Sequence, residues 1–290
     1  MRRPWLALLA GAFLSASSAT WHAIAATGES GTPIPNFTSL DRPSARNSLD
    51  FFPPPSGLGP VTYDKAHPVM ATNPDANGVP RRGPLHLGDA SNANLKPWVA
   101  EAIKKANDDV LAGKLRETSR SRCMPGGVPE FLLYGGPGEN EPLYFVQTSK
   151  EVLIIAQADT QVRHVYMNAA YSARPSPSWY GESVGHYEGD TLVVDTIGFN
   201  EKSLIDDNYA VPHTIQLHVI ERYRVIDDGK TLQASFTVDD PGASNALWSA
   251  MELFHPVREA AVLAEEPCAE NNVAPAGNEF PIPVAVKPDF

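Results

Sequence analysis

Leu217-His218-Val219-Ile220-Glu221-Arg222-Tyr223-Arg224-Val225-Ile226-Asp227-Asp228-Gly229-Lys230-Thr231-Leu232-Gln233-Ala234-Ser235-Phe236-Thr237-Val238-Asp239 decides the fold. Two alternating runs flank Asp228-Gly229, a dipeptide suited to the positive φ angles of a tight hairpin turn. Pairing Val225 with Leu232 sets Tyr223 against Ala234, Glu221 against Phe236 and Val219 against Val238. The other face then carries Arg224 with Gln233, Arg222 with Ser235 and Ile220 with Thr237. One face is apolar and the other mostly polar, as a half-buried antiparallel sheet requires. A slip of one residue would invert that pattern.

Outward from this hairpin, Val184 to Thr196 repeats the arrangement, with its turn at Glu188-Gly189-Asp190. Further candidate strands are Phe131–Tyr134, Leu143–Thr148, Glu151–Ala158, Val162–Asn168 and Ala246–Phe254, with turns at Ser149-Lys150 and Asp159-Thr160. Asn200 to Pro212 reads as a polar loop. One helix spans Pro97 to Leu111: Pro97 suits its first turn, Val99, Ile103, Ala106 and Val110 share a face, and Gly113 follows as a stop. About eight strands with short connections and no strand–helix–strand alternation predict an all-β fold. Its form is an antiparallel, lipocalin-like barrel or strongly curved sheet, with one packed helix and irregular N- and C-terminal straps.

The first 26 of the 290 residues read as a cleaved signal peptide: Arg2 and Arg3, then the apolar run Trp5 to Phe13, then Ala23-Ile24-Ala25. Residues 27–94 form a Pro- and Gly-rich strap, with Phe51 and Phe52 as anchors where it docks. Residues 95–290 form the barrel-like domain. The expected compartment is periplasmic or extracellular, with no stable membrane insertion. Loss of Arg2 and Arg3 moves the net charge from −11 to −13, which argues against nucleic acid and anionic lipid as partners. Oligomeric state is left open. The two cysteines, Cys123 and Cys268, are expected to form one disulfide closing a loop of roughly 145 residues. Two separate buried thiols are the other reading.

The chemistry-bearing residues fall in the same region. Glu221 lies on the apolar face, so its carboxylate needs a partner or holds its proton. Arg163, which alternates with Val165 and Met167, can supply a structural ion pair, and a catalytic role is the alternative. His213 is the candidate general base, with Asp195, Asp206 or Asp207 to orient it. His213 and Glu221 are about 26 Å apart on a straight strand and form no dyad unless the chain bends. Tyr166, Trp179, Ser183, His164 and His186 are candidate pocket residues, against plain core or surface positions. No metal site is expected, because no His-x-His or His-Glu-x-x-His spacing occurs and His213 and His218 fall on opposite strand faces. No phosphate loop, dinucleotide fingerprint or Gly-x-Ser-x-Gly elbow occurs, so no cofactor is expected.

Several runs recur together: Leu95-Lys96-Pro97-Trp98, Cys123 to Pro129, Val162 to Tyr166, Trp179 to Thr196, Pro212-His213-Thr214, Leu217 to Tyr223 and Cys268 to Asn272. In this combination the chain, over roughly residues 80 to 272, resembles a widespread family of exported, uncharacterised β-rich bacterial proteins. The resemblance implies an export signal and β-rich character, but no activity. It marks Arg163, Trp179, Ser183, Asp195, His213, Glu221 and Arg222 as motif members without assigned roles. Members usually carry an aromatic-Thr-Thr-Pro-Trp type run after the Asp-Pro-Gly, where this chain has Ala243-Ser244-Asn245-Ala246-Leu247-Trp248.

The functional expectation is a periplasmic, cofactor-independent lyase, isomerase or hydrolase acting by acid/base chemistry on a small, partly apolar molecule. His213 would move the proton, Asp195 or a loop aspartate would orient it, Arg163 and Arg222 would stabilise negative charge, and Glu221 would fix an arginine. A lipocalin-like carrier of a hydrophobic ligand and an envelope structural or interaction protein are the alternatives.

Overall fold

The computed structural model describes residues 34–37, 44–46, 50–67, 87–112, 114, 118–119, 123–133, 143–157 and 161–256. The expected signal peptide and the tail that carries Cys268 lie outside them. The strands in chain order are β1 (Ser44–Arg46), β2 (Leu143–Gln147), β3 (Glu151–Ala156), β4 (Gln161–Met167), β5 (Glu182–Glu188) and β6 (Thr191–Ile197). They continue with β7 (Leu204–Asp206), β8 (Val211–Pro212), β9 (His218–Ile226), β10 (Thr231–Asp239) and β11 (Trp248–Pro256). The helix α1 runs Pro97–Leu111, as the apolar spacing predicts.

Eight of these strands form one strongly curled sheet, a half-barrel ordered β11-β10-β9-β6-β5-β4-β3-β2. The short β1 bridges its two edges: Ser44 lies opposite Pro256 on β11 and Leu143 on β2. The strap thus supplies a strand as well as a covering, and it occupies edges that would otherwise be open to foreign strands. The β9–β10 register pairs Val225 with Leu232, Tyr223 with Ala234, Glu221 with Phe236 and Val219 with Val238, as the alternation requires. In the β5–β6 hairpin, Glu188 lies opposite Thr191. Ser183 faces Thr196 there, and Val184 faces Asp195.

The sheet departs from full antiparallel pairing at one place. Strands β4 and β5 are parallel, with Val165 opposite Ser183 and Met167 opposite Gly185. A parallel neighbour needs a crossover, and residues 168–181 provide it by carrying the chain back so that β5 starts alongside the middle of β4. Within the expected strand Phe131–Tyr134, residues 131–133 belong instead to the short 3₁₀ helix Glu130–Leu133. A four-residue apolar run fits either form by periodicity. Here Gly127, at φ +80°, turns the chain so that Phe131 N–H donates to the Gly127 carbonyl. The span 200–212, read as a polar loop, holds the β7–β8 pair and buries Ile205, Tyr209 and Val211.

Tight turns at 149–150, 189–190 and 227–230 collect at one end of the half-barrel. The long connections 198–217 and 240–247, and the segment entering β2, collect at the other. The concave face is filled by Phe145, Ile154, Val165, Leu192, Val194, Val219, Tyr223, Phe236 and Phe254. Phe51 of the strap packs edge-on against Phe236 at 4.7 Å, whereas Phe52 is exposed and holds the strap only through backbone bonds with Met251.

Helix α1 buries Val99, Ile103, Asn107 and Val110, so Asn107 rather than Ala106 completes the inward face. Its amide works as a clamp: Gly88 N–H donates to Asn107 Oδ1 (3.0 Å) and Asn107 Nδ2 donates to the Gly88 carbonyl (2.8 Å). Gly88 eases a close approach, because a Cβ there would sit 3.0 Å from Ile103 and from the Tyr209 carbonyl, tighter than an ordinary contact. Asn107→Leu strands two buried backbone groups and is expected to lower stability by about 2–4 kcal/mol in urea unfolding. Lys104→Ala on the exposed face should stay within about 0.5 kcal/mol.

Candidate functional site

Arg163 on β4 reaches across the concave face to β9, two strands beyond its own neighbour in the ladder. Its Nη1 and Nη2 donate to Glu221 Oε1 (2.9 Å) and Oε2 (2.5 Å). On the way, Nε donates to Ser183 Oγ on β5 (3.1 Å) and Nη2 to Thr196 Oγ1 on β6 (2.8 Å). Tyr223 O–H donates to Glu221 Oε1 (2.6 Å), and the Phe131 ring lies 5.3 Å from the guanidinium carbon. The Arg163 and Glu221 side chains are 2% and 0% exposed. Burial, the largest single effect, would lower the arginine's pKa, but the charge and hydrogen bonds of Glu221 together with Tyr223 and Tyr180 outweigh it and hold Arg163 above its ordinary value. The Tyr223 phenol is held far above its usual range by burial and then by Glu221, so it remains a donor. The arrangement satisfies both charges and excludes water, which is the geometry of a structural pair.

A second polar group lies among the long connections. His213 Nδ1 is 3.1 Å from the Thr214 carbonyl, which can only accept, so Nδ1 carries the ring proton. Nε2 then accepts from Ser203 O–H at 2.9 Å. Both residues are 4% exposed. Burial pulls the imidazole below its ordinary pKa, against the Thr214 bond and the charges of Asp240 and Glu201, so the ring is neutral at neutral pH. Phe199 packs edge-on against the ring, and Asp240 fixes the next residue by accepting from Thr214 N–H (2.7 Å) and O–H (2.6 Å). Gly127 approaches from the far side. A Cβ there would meet the Trp179 carbonyl at 2.8 Å and Ser203 Oγ at 2.9 Å, so the glycine is what lets three segments close on the serine.

The structure divides the expected constellation. Asp195 does not orient His213, because its side chain points to the convex face. There Asp195 Oδ1 accepts from Tyr171 O–H and lies against His218 Nε2, each at 2.5 Å. Burial and that bond hold the Tyr171 phenol above its ordinary pKa. Asp206 and Asp207 do not reach His213 either: Asp206 Oδ1 caps the turn at Asn208 and Tyr209, and Asp207 accepts from Ser119 N–H (2.9 Å). Arg222 faces outward and pairs with Glu188. His164 and Tyr166 stack on each other on the outer surface, and His186 is paired with Glu188 there. Of the named pocket residues, Ser183 serves the buried arginine and half-buried Trp179 sits beside Gly127 and Ser203. The described part of the chain holds no group of three or more His, Cys, Asp or Glu able to bind a metal ion. It also holds no free cysteine and no complete disulfide, since Cys268 lies outside it.

Sequence reasoning missed Ser203 and Tyr171. Tyr223 was placed on the inner face by register, and only its hydroxyl's partner was unforeseen. Ser203 carried no signal, because its contact with His213 depends on the β7–β8 fold of the intervening residues 204–212. Compared with family models, with curated proteins and with solved structures, the chain matches none.

Removing one partner of the inner ion pair leaves a buried charge. Arg163→Met and Glu221→Gln are each expected to cost about 3–5 kcal/mol in denaturant unfolding. The double variant Arg163→Met/Glu221→Leu should recover a large part of that loss.

Proposed function

We propose that the protein is a cofactor-independent hydrolase that acts on a small, partly apolar acyl compound, with Ser203 as nucleophile and His213 as general base and acid. The observation that carries this reading is the Ser203 O–H donating to His213 Nε2 at 2.9 Å, with the tautomer fixed by the Thr214 carbonyl. A serine is activated when a neutral imidazole in hydrogen-bond contact can take its proton and a third group orients the ring. In the first step Ser203 Oγ bonds to the substrate carbonyl carbon as its proton passes to Nε2. The bond to the leaving group then breaks, and the leaving group takes that proton. Water, deprotonated by the same nitrogen, releases the acyl group and restores the serine.

An apolar substrate portion is supported by the surroundings of the pair. Ile215, two residues after His213, is exposed, as are Trp98 and Leu247. Trp98 Nε1 donates to the Gly242 carbonyl, and Gly242 packs against Thr214, so the tryptophan is held beside the histidine's own segment. Leu247 belongs to the run that departs from the aromatic-Thr-Thr-Pro-Trp type. A carrier role for the concave face has less room, since large side chains and the Arg163–Glu221 pair occupy it.

We further place the protein with the exported β-rich family on its motif runs, with a cleaved signal and a Cys123–Cys268 disulfide. The mass of the mature unreduced protein should then be two hydrogens lighter than that of the reduced chain. An unchanged mass on reduction removes the disulfide.

The hydrolase reading is tested with a fluorophosphonate probe and p-nitrophenyl acetate on the full chain. The wild type should be labelled at Ser203 and release nitrophenol. Ser203→Ala should lose labelling, and His213→Ala should lower both rates by at least about a hundredfold. Because burial lowers the His213 pKa, the active neutral form persists on acidification, and kcat/KM should fall only below the ordinary histidine value of 6.5. A wild type that neither labels nor turns over ends this reading.

A further inference from the structure

Behind the Ser203–His213 pair lies a buried carboxylate that bonds to neither residue. Asp240 directly follows β10 and is 1% exposed. Its Oδ2 accepts from Thr214 N–H (2.7 Å), and its Oδ1 accepts from Thr214 O–H (2.6 Å) and Gly242 N–H (3.1 Å). All three donors are neutral, and among the described residues no lysine or arginine pairs with Asp240. A buried carboxylate held only by neutral donors keeps a negative charge that no cation answers. Thr214 passes its hold to the histidine. The Thr214 carbonyl accepts from Leu217 N–H (3.1 Å) as well as from His213 Nδ1 (3.1 Å), and its hydroxyl accepts from Gln216 N–H (3.1 Å). Gly242 leaves room for this, since a Cβ there would meet Thr214 Oγ1 and Cγ2 at 2.7 Å. The Asp240 turn is itself tied down. Its carbonyl accepts from Ala243 N–H (2.9 Å) and Ser244 N–H (2.8 Å). Lys96 N–H donates to the Ala243 carbonyl (2.9 Å) and Trp98 Nε1 to the Gly242 carbonyl (2.8 Å), which fastens the turn to the start of α1.

We propose that Asp240 is the positioning carboxylate of the hydrolytic site, acting on His213 through Thr214 rather than by direct contact. The inference rests on the reading of Ser203 as nucleophile and His213 as base. When Nε2 takes the serine proton, the ring becomes an imidazolium in a buried place. Asp240 then supplies an opposite charge that is already fixed and needs no reorientation. Its two bonds to residue 214 also keep the Thr214 carbonyl aimed at Nδ1, so that the ring presents Nε2 to the serine. The charges that bear on the ring are those of Asp240 and of Glu201. Glu201 is exposed, so water and salt screen it. Ser203, Thr214 and Phe199, which touch the ring, are uncharged. Burial, the largest effect, lowers the imidazole's pKa, while the Thr214 bond, Asp240 and Glu201 raise it.

Ring-nitrogen NMR of His213 in the full chain, followed across the acid range, reads the tautomer and the titration midpoint without any turnover. The wild type should hold its proton on Nδ1 and titrate below the ordinary 6.5. Asp240→Asn removes a charge that favours the imidazolium, so the midpoint should fall by a further ~0.5–1 pH unit and the Nδ1 tautomer should lose its dominance. With p-nitrophenyl acetate above the midpoint, kcat should drop at least about tenfold while KM stays within about twofold. The acid limb of kcat/KM should move down with the midpoint. Thr214→Val cuts one of the two bonds to Asp240 and should shift midpoint and kcat in the same direction by less. Thr214→Ser restores the hydroxyl and should recover most of that loss, and this pair decides the matter if Asp240→Asn fails to fold. Glu201→Gln removes an exposed charge and no bond to residue 214, so the tautomer should hold and kcat should stay within about twofold. An Asp240→Asn variant with the wild-type midpoint and kcat, a loss confined to KM, or a Thr214→Val variant that behaves as wild type overturns the inference. A wild type inert towards probe and ester whose midpoint still falls on Asp240→Asn ends the hydrolase reading alone and confirms the coupling of Asp240 to His213.

Discussion

Arg163 can leave water only if the sheet curls. A guanidinium has five N–H donors and cannot shed its charge, so burial is tolerable only where a carboxylate and further acceptors meet it. Its carboxylate is on β9, three strands away, and the hydroxyls of β5 and β6 line the path between. On a flat sheet these four side chains would fan apart, since neighbouring strands lie about 4.8 Å from one another. Curling turns the inner face into a concavity in which they converge. The ion pair therefore acts less as a source of net stability than as a selector of one curvature and one register. A slip of a single residue in β9 would send Glu221 to the solvent face and leave Arg163 buried alone.

Long connections gather at one end of that curvature, and tight turns close the other. The division sets a paired ladder apart from the connections that gather buried polar side chains at one end. Phe131 caps the arginine from the loop end, and the Gly127 turn just before it packs on Ser203. The structural pair and the serine–histidine pair are thus linked through one short segment, 127–131.

Where alternation or helical spacing governed, the sequence was legible. The hairpin register of β9 and β10, the limits of α1 and the inward position of Glu221 all follow from periods of 2 and 3.6, which record burial directly. The Arg163–Glu221 meeting was readable too, because a lone carboxylate on an apolar face demands a cation and Arg163 shared the right alternation. The reading failed where long-range closure decides. Ser203 and His213 are brought together by a small two-stranded fold whose strands have two and three residues, too short to show a period. Asp195, expected to orient His213, points to the convex side, so the histidine it meets is His218. Asn107 was passed over because a polar residue on a helix is ordinarily solvated, and only the arrival of Gly88 gives it work.

The strand β1 has a consequence for the order of events as the chain is made. Ser44 pairs with Pro256, about 210 residues later, so the first strand of the described chain must wait for the last. Until β11 emerges, β10 offers a bare edge and the strap has only β2 to lie along. Ring closure over so long a separation is slow compared with forming the local hairpins of β5–β6 and β9–β10. A newly synthesised chain therefore passes through an open, edge-exposed sheet before it seals. Any helper protein that guards it needs to recognise that edge only during the interval before the C-terminal strand arrives.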